Sequence, residues 1–238
     1  METHTTPDRH GYSVKFSPFD ANHLLLASSQ LFEICRLEWS DGLFDVAWCP
    51  YADNIAATAS GDGSLQIWGG LDVDAESALK TPTKPIILLH EHKNEVYSID
   101  WGEQWNNHQL LSASWDSSVK LWDCNRTNSV STFLGTEGNL NLWNSLDFSG
   151  KPLMSIQAAQ AGEVLACDWS QFDRNLLVTG GSDGQVRGWD LRNMRDHLFE
   201  LCSGEFAVRR LAFSPTLPTV LAAANYDFTT RLDMAELF

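Results

Sequence analysis

The stretch Ser114-Trp115-Asp116-Ser117-Ser118-Val119-Lys120-Leu121-Trp122-Asp123 decides the fold of this chain. An aspartate opens a tight turn, a short run of alternating polarity follows, and a tryptophan stands six positions after the aspartate. The same spacing recurs from Asp62 to Trp68 and from Asp183 to Trp189. In each copy another tryptophan precedes the later one by 20 or 21 positions. A spacing that occurs three times identifies an internal repeat.

Each repeat alternates apolar and polar residues in runs of about five, broken by Gly, Asp and Ser, which is typical of short antiparallel strands joined by tight turns. A single four-stranded sheet cannot bury both of its faces, so such sheets pack together as propeller blades. A weaker fourth copy runs over residues 209–227. The repeat predicts an all-β WD-repeat β-propeller with almost no helix. We expect six tryptophans to be largely buried: Trp48, Trp68, Trp101, Trp122, Trp169 and Trp189.

Three of the repeats are incomplete, and the last of them breaks off at residues 231–233 without a tryptophan. Residues 16–29 resemble the first half of a blade, but the usual turn aspartate and tryptophan do not follow. Trp143 follows Trp122 by only 21 positions, where a full repeat needs roughly 40–45 residues. Residues 137–143 match the second half of a blade, with Glu137 in the aspartate position. We therefore expect one propeller domain over 9–233, with short tails at 1–8 and 234–238, no blade after Asp233, and an exposed strand edge at one or both gaps.

Composition narrows the classes of partner. The formal net charge is −15, which disfavours nucleic acid and anionic membranes and favours a basic ligand. Five scattered cysteines without a CxxC pair indicate reduced thiols in a cytoplasmic protein rather than disulfides or a zinc site. The first ten residues lack the apolar segment of a secretory signal, and no apolar run approaches the roughly 18 residues that span a bilayer. We expect no membrane insertion.

The stretches that link the repeats carry a more specific resemblance. Residues 41–46 (Asp-Gly-Leu-Phe-Asp-Val), 188–193 (Gly-Trp-Asp-Leu-Arg-Asn) and 226–229 (Tyr-Asp-Phe-Thr) resemble the peroxin 7 family, and the similarity extends from about Thr6 to Asp233. The resemblance implies a seven-bladed propeller that binds the N-terminal type 2 peroxisomal targeting signal together with a co-receptor. It also implies shuttling of cargo from the cytosol to the peroxisomal membrane or matrix. Relative to such a ring, this chain is incomplete.

Several residues have structural roles in this interpretation. The turn aspartates Asp62, Asp116, Asp183 and Asp227 could be read as catalytic acids, but an aspartate in such a turn usually binds its own backbone. His92 is expected to join Ser112 or Ser114, Asp116 and Trp122 in a buried hydrogen-bonded set. Trp68 and Trp189 occupy the same position as Trp122 in their repeats.

Metal and catalytic alternatives are weaker. His90 and His92 flank Glu91, an arrangement that would permit a metal site, but a polar loop with one structural histidine is the simpler interpretation. The chain lacks the GxSxG and HExxH motifs and a glycine-rich phosphate loop. We therefore expect a binding protein without a cofactor, not an enzyme.

The candidate binding residues stand at matching offsets in the repeats. Asp41, Glu95 and Glu163 directly precede first strands. The resemblance implies a signal with Arg or Lys near its start and His or Gln near its end, which carboxylates would bind well. An apolar groove beside them is predicted for a signal helix. Solvated polar residues and packing between blades are the alternatives. The groove residues are Phe44, Tyr97 and Leu165, each four positions before the tryptophan of its first strand, and Trp115 and Tyr226, which precede turn aspartates.

A different binding function also fits one motif. Trp189-Asp190-Leu191-Arg192 has the WDxR pattern that resembles the docking element of substrate receptors for cullin-RING ubiquitin ligases. Many blades end their third strand in this way, so the motif by itself is weak. Ligase docking or a generic scaffold role remains the alternative to a targeting-signal receptor.

Overall fold

A computed structural model describes residues 11–16, 24–28, 39–71, 84–102, 109–134, 138–144, 151–193, 195–202, 204–227 and 230–234. Within these ranges all regular structure is β-strand, which confirms the all-β prediction. The described residues divide into two compact units, one reaching Leu134 and one starting at Gly138. Glu137 and the predicted tails, apart from Met234, lie outside the described ranges.

The first unit contains three antiparallel sheets, and the strand order in each follows the sequence. Sheet 1 pairs two strands, and sheets 2 and 3 each contain four. The strands of sheet 1 are β1 (Gly11–Phe16) and β2 (Leu24–Ser28). Those of sheet 2 are β3 (Leu43–Trp48), β4 (Ile55–Ser60), β5 (Ser64–Gly69) and β6 (Ile87–His90). Those of sheet 3 are β7 (Val96–Trp101), β8 (Gln109–Ser114), β9 (Ser118–Asp123) and β10 (Ser129–Leu134).

The second unit contains two, four and three strands in sheets 4, 5 and 6. The strands of sheet 4 are β11 (Leu140–Leu142) and β12 (Met154–Ile156). Those of sheet 5 are β13 (Val164–Trp169), β14 (Leu176–Gly181), β15 (Gln185–Asp190) and β16 (Phe199–Cys202). Those of sheet 6 are β17 (Val208–Phe213), β18 (Val220–Asn225) and β19 (Thr230–Met234).

A residue with a positive φ stands just before the third strand, and it is glycine in sheets 2 and 4 and Ser117 in sheet 3. Gly63 has a φ of 85°, and a Cβ added there would lie 2.7 Å from the carbonyl oxygen of His92. Gly138, just before β11, has a φ of 70°, and its Cβ would lie 2.9 Å from the carbonyl oxygen of Gly162. Only glycine accepts both the positive φ and the close approach without strain. The shared geometry identifies β11 as a third strand, as the sequence match over 137–143 predicts.

Neighbouring sheets pack through their first strands, β3 beside β7 and β13 beside β17. The buried Asp45 carboxylate on β3 accepts hydrogen bonds from the Ile99 amide at 3.0 Å and the Ser98 hydroxyl at 3.1 Å. On β13, the Asp168 carboxylate accepts from the Phe213 amide of β17 at 2.6 Å. Polar bonds therefore fix the register between sheets that apolar residues hold together.

Five of the six predicted core tryptophans are buried, with Trp68 and Trp122 fully enclosed. The prediction is wrong for Trp169, whose residue surface is 43% exposed. Trp48 and Trp101, at the same position in β3 and β7, are only 9% and 6% exposed. The sheet that precedes Trp169 in sequence is the two-stranded sheet 4, and its described residues supply no first strand to cover the indole.

Candidate functional site

The first strands share a β-bulge at their second residue. The pairing register shifts between Leu43 and Asp45 in β3, and the corresponding shifts in β7, β13 and β17 fall at Tyr97, Leu165 and Arg209. A bulge leaves one residue out of the ladder and redirects its side chain. The bulge thus gives one structural position to the three predicted groove residues Phe44, Tyr97 and Leu165. Arg209 takes this position in sheet 6. It was not among the predicted groove residues, although it stands four residues before Phe213 as the others do before their tryptophans.

Three aromatic rings stack in the first unit, and we call them the aromatic stack: Phe44, Tyr97 and Trp115. The centroids of Phe44 and Tyr97 are 4.7 Å apart with an interplanar angle of 24°. Tyr97 and Trp115 are 4.9 Å apart at 21°. Trp115 is 65% exposed, so one end of the stack presents a large apolar face to solvent. Stacked rings at this separation stabilise one another beyond the area they bury.

Two of the predicted acids lie at this stack. The carbonyl of Glu95 accepts a hydrogen bond from the Trp115 amide at 3.0 Å, which holds the Glu95 backbone against the last ring of the stack. Asp41 and the ring of Phe44 both border Gly61, where an added Cβ would lie about 3 Å from each side chain. Asp41 is exposed and Glu95 is half-buried. The first unit therefore combines two carboxylates with an exposed aromatic surface.

The remaining predicted residues belong to the second unit. Glu163 is exposed, and its carbonyl accepts a hydrogen bond from the Ser182 amide at 2.9 Å. It borders an open cavity of about 400 Å³ that is also lined by Gly138, Asn139 and Gln160. Leu165 is half-buried on β13, and Tyr226, in the turn after β18, is 56% exposed.

A chain of hydrogen bonds connects four structural residues of sheet 3. The Trp122 indole donates to the Ser112 hydroxyl at 2.8 Å, and that hydroxyl lies 2.7 Å from Nε2 of His92. Nδ1 of His92 lies 2.9 Å from the Asp116 carboxylate. In neutral His92, Nδ1 donates to Asp116 and Nε2 accepts from Ser112, so every polar group of the set is satisfied. Ser114 instead donates to the carbonyl of Asn94.

The electrostatics of this set follow from burial and hydrogen bonding. Burial lowers the pKa of His92 below 6.5, and the bond to Asp116 only partly offsets it. Burial alone would raise the pKa of Asp116, but the hydrogen bonds from Ser118, His92 and the Lys93 amide outweigh it and lower this pKa to about 2. A neutral histidine beside an ionised aspartate is therefore the stable pairing near neutral pH.

Other residues replace the histidine in sheets 2 and 5. Trp39 donates to Asp62 at 2.8 Å, while the Trp68 indole donates to the Thr58 hydroxyl at 2.9 Å. In sheet 5, Gln160 donates to the Thr179 hydroxyl at 2.8 Å, and Trp189 donates to the same hydroxyl at 2.9 Å. The indole of the third strand thus has a hydroxyl acceptor on the second strand in all three sheets.

The turn aspartates bind their own backbones. Asp62 accepts from the Ser64 amide at 2.9 Å, Asp116 from the Ser118 amide at 3.0 Å, and Asp183 from the Gln185 amide at 3.2 Å. These bonds form Asx turns, which set the tight reversal between second and third strands. Asp227 stands at the corresponding place after β18.

The residues behind the metal and ligase-docking alternatives have contacts of their own. Glu91 binds the Ser129 hydroxyl at 2.6 Å and Lys120 at 3.3 Å, and so links neighbouring strands. Among the described side chains, no three His, Cys, Asp or Glu residues come together as a metal site. The Arg192 guanidinium of the WDxR motif forms a two-point ion pair with Asp190, with bonds of 2.7 and 2.9 Å. Nor do the described ranges hold a helix able to cross a membrane.

The family model and the similar proteins assign this chain to the same family. The WD domain, G-beta repeat model matches residues 33–69, 83–123 and 150–190. The chain is 36% identical to the peroxisomal targeting signal 2 receptor of Homo sapiens, over 95% of this chain and 79% of that receptor. It is 36% identical to the receptor of the same name from Mus musculus, over 94% of this chain and 80% of that receptor. It is 28% identical to the receptor from Schizosaccharomyces pombe, over 95% of this chain and 83% of that receptor. The human alignment occupies 264 positions, more than the 238 residues here, so this chain has gaps within the aligned region.

Proposed function

Because the chain belongs to the family of WD-repeat receptors for peroxisomal targeting signal 2, we propose that it binds cargo proteins through that signal and delivers them to the peroxisomal import machinery. The observation that carries the proposal is the similarity to these receptors over 95% of the chain. The receptor acts by binding, without catalysis or a cofactor. It moves between the cytosol and the peroxisome and engages its cargo together with an import co-receptor.

The binding site in this proposal begins at the aromatic stack. The exposed face of Trp115 and the stacked rings behind it offer a rigid apolar surface. An amphipathic signal helix can lay its apolar side on such a surface. Leu165 and Tyr226 offer apolar surface of their own in the second unit.

The acids in this proposal bind the basic residues of the signal. Asp41 and Glu95 border the two ends of the stack. Glu163 is an exposed carboxylate of the second unit. A carboxylate in partly exposed surroundings contributes about 1–2 kcal/mol to a charged contact. The net charge of −15 also attracts a basic signal over a longer range.

Charge reversal tests the acids. Asp41→Lys and Glu95→Lys should each weaken binding of a labelled type 2 signal peptide about tenfold or more, because each loses an attractive contact and gains a repulsive one. Asp53→Lys is the matched control, since Asp53 is an exposed acid of the same unit in the turn between β3 and β4. If all three variants bind equally well at low salt, these acids do not bind the signal.

The aromatic stack has its own test. Tyr97→Phe keeps a ring between Phe44 and Trp115 and should retain peptide affinity, whereas Tyr97→Ala removes the central ring and should weaken binding roughly tenfold. This loss should persist at high salt, because apolar contacts are not screened. Equal peptide affinities for the two variants would show that the aromatic stack does not contact the signal.

A further inference from the structure

First-strand tryptophans of the first unit follow a rule. The indole N–H of Trp48 donates to the main-chain carbonyl of Lys15 in the preceding sheet at 3.3 Å. The indole of Trp101 donates to the carbonyl of Ala47 on β3 at 3.2 Å. Each ring is thereby buried against a first strand of the sheet before it.

Trp169 departs from this rule. Its indole donates to the carbonyl of Arg174 in the loop of its own sheet at 2.8 Å, and the residue is 43% exposed. Cys167, two residues earlier on the same face of β13, is also exposed, and Phe172 in the adjoining loop is 50% exposed. The residues that correspond to Cys167 and Trp169 in β7 are Ile99 and Trp101, at 4% and 6%. The face of the first strand that is buried in sheet 3 is therefore open in sheet 5.

Among the residues that the structure describes, sheet 4 has an open edge at β11. In sheets 2, 3 and 5 the third strand pairs with a second strand on one side and a fourth on the other. Within the described ranges, β11 pairs with β12 alone. Sheet 4 is nevertheless held in place, because Leu140 and Ile156 pack with Leu177 and Trp189 of sheet 5. If sheet 4 had four strands, its second strand would pair with the edge of β11. Its first strand would cover the exposed face of β13.

We propose that β11 and β13 form an acceptor site for a β-hairpin of a partner protein. One strand of the hairpin pairs with the open edge of β11, and the other lies on Trp169 and Cys167. Strand addition to an open edge draws its affinity from main-chain hydrogen bonds and its specificity from alternate side chains. This proposal is independent of binding to the targeting signal.

The interface between sheets 2 and 3 indicates the chemistry of the partner strand. There, the first strand provides the Asp45 carboxylate to a backbone amide and, two residues later, the Ala47 carbonyl to the indole. A partner strand that follows this pattern carries an acidic residue, then a small residue two positions on, with apolar residues beside them. The chain's own β3–β4 hairpin, residues 42–61, has this sequence and serves as the probe.

The test measures binding of a labelled 42–61 peptide, with Cys49→Ser in the peptide, to the full chain. We expect saturable binding that Trp169→Ala weakens at least tenfold. Tyr51→Ala should leave binding unchanged, since Tyr51 is an exposed aromatic residue of the first unit outside both proposed sites. Asp45→Lys in the peptide should also weaken binding. No binding, or equal binding to wild type and Trp169→Ala, would overturn the proposal.

A second variant carries the hairpin sequence within its own chain. Residues 42–61 are inserted before Gly138, where the sequence lacks a first and second strand. The insertion should abolish binding of the free peptide and reduce quenching of tryptophan fluorescence by acrylamide. Unchanged peptide binding would contradict an acceptor site here.

Reversible self-association of the wild-type chain that Trp169→Ala abolishes would show that a second copy, not a partner hairpin, occupies the surface. The targeting-signal peptide should bind Trp169→Ala as it binds the wild type.

Discussion

Single tryptophans at repeated positions differ in what they contribute to stability. Trp122 is fully buried and donates to Ser112, whereas Trp169 is 43% exposed. Trp122→Ala should cost about 3–5 kcal/mol in the free energy of unfolding, and Trp122→Phe about 1–2 kcal/mol through the lost hydrogen bond. Trp169→Ala should cost about 1 kcal/mol or less, because its ring is poorly enclosed. Urea denaturation measures all three, and similar costs for the two alanine variants would contradict the burial described here.

His92 makes stability depend on pH in a defined direction. Burial lowers its pKa in the folded state below the unfolded value of 6.5, so as the pH falls the unfolded chain takes up the proton first. The stability from neutral His92 is complete above pH 6.5 and is lost as the pH falls toward the lower folded pKa. Asp116 adds a second loss between its unfolded pKa of 3.8 and its folded pKa of about 2.

Replacement of the histidine tests this linkage. In His92→Gln, the free energy of unfolding should fall less between pH 7 and pH 5 than in the wild type. Glutamine is a suitable substitute, because Gln160 already fills this position in sheet 5 and binds Thr179. Parallel pH dependences for the two proteins would mean that His92 does not titrate in this range.

At the level of strands, the Asp45 carboxylate accepts two of the hydrogen bonds that join β3 to β7. Asp45→Ala would leave the buried Ile99 amide without its acceptor, which should destabilise the chain by about 1–3 kcal/mol. Asp45→Asn retains a carbonyl acceptor and should cost less. Hydrogen exchange at the Ile99 amide gives a local measurement. Exchange as slow in Asp45→Ala as in the wild type would show that the bond does not protect this strand.

The strands were predictable from sequence because each repeat carries its own turn. An aspartate that binds the amide two residues later, six positions before a buried tryptophan, is a local signal. The exposure of Trp169 was not predicted, because burial depends on a strand that another part of the chain must supply. The short Trp122–Trp143 spacing contained that information.

The candidate site was only partly predictable from sequence. Matching offsets identified Phe44 and Tyr97, but their stacking depends on the approach of two sheets and on the β-bulges that redirect both rings. Trp115 was singled out as a residue beside a turn aspartate, and only the fold shows that it continues the stack. Local sequence therefore identified the positions, and packing between sheets determined their contacts.

For the whole molecule, charge and family point to the same class of ligand. A chain of 238 residues with a net charge of −15 repels nucleic acid and attracts basic segments. Its relatives are named for a peroxisomal targeting signal, over nearly the full length of this chain. The proposed receptor therefore combines a family-specific fold with carboxylates placed beside an exposed aromatic stack.

The most direct test of this account is the affinity of the intact chain for a type 2 targeting signal. Fluorescence anisotropy would compare a labelled signal peptide with one in which the basic residue near its start is alanine, at low and physiological salt. We expect the unaltered signal to bind saturably, the altered one to bind about tenfold or more weakly, and the difference to shrink as salt rises. Equal affinity for both peptides, or no binding of either, would contradict the proposed receptor function.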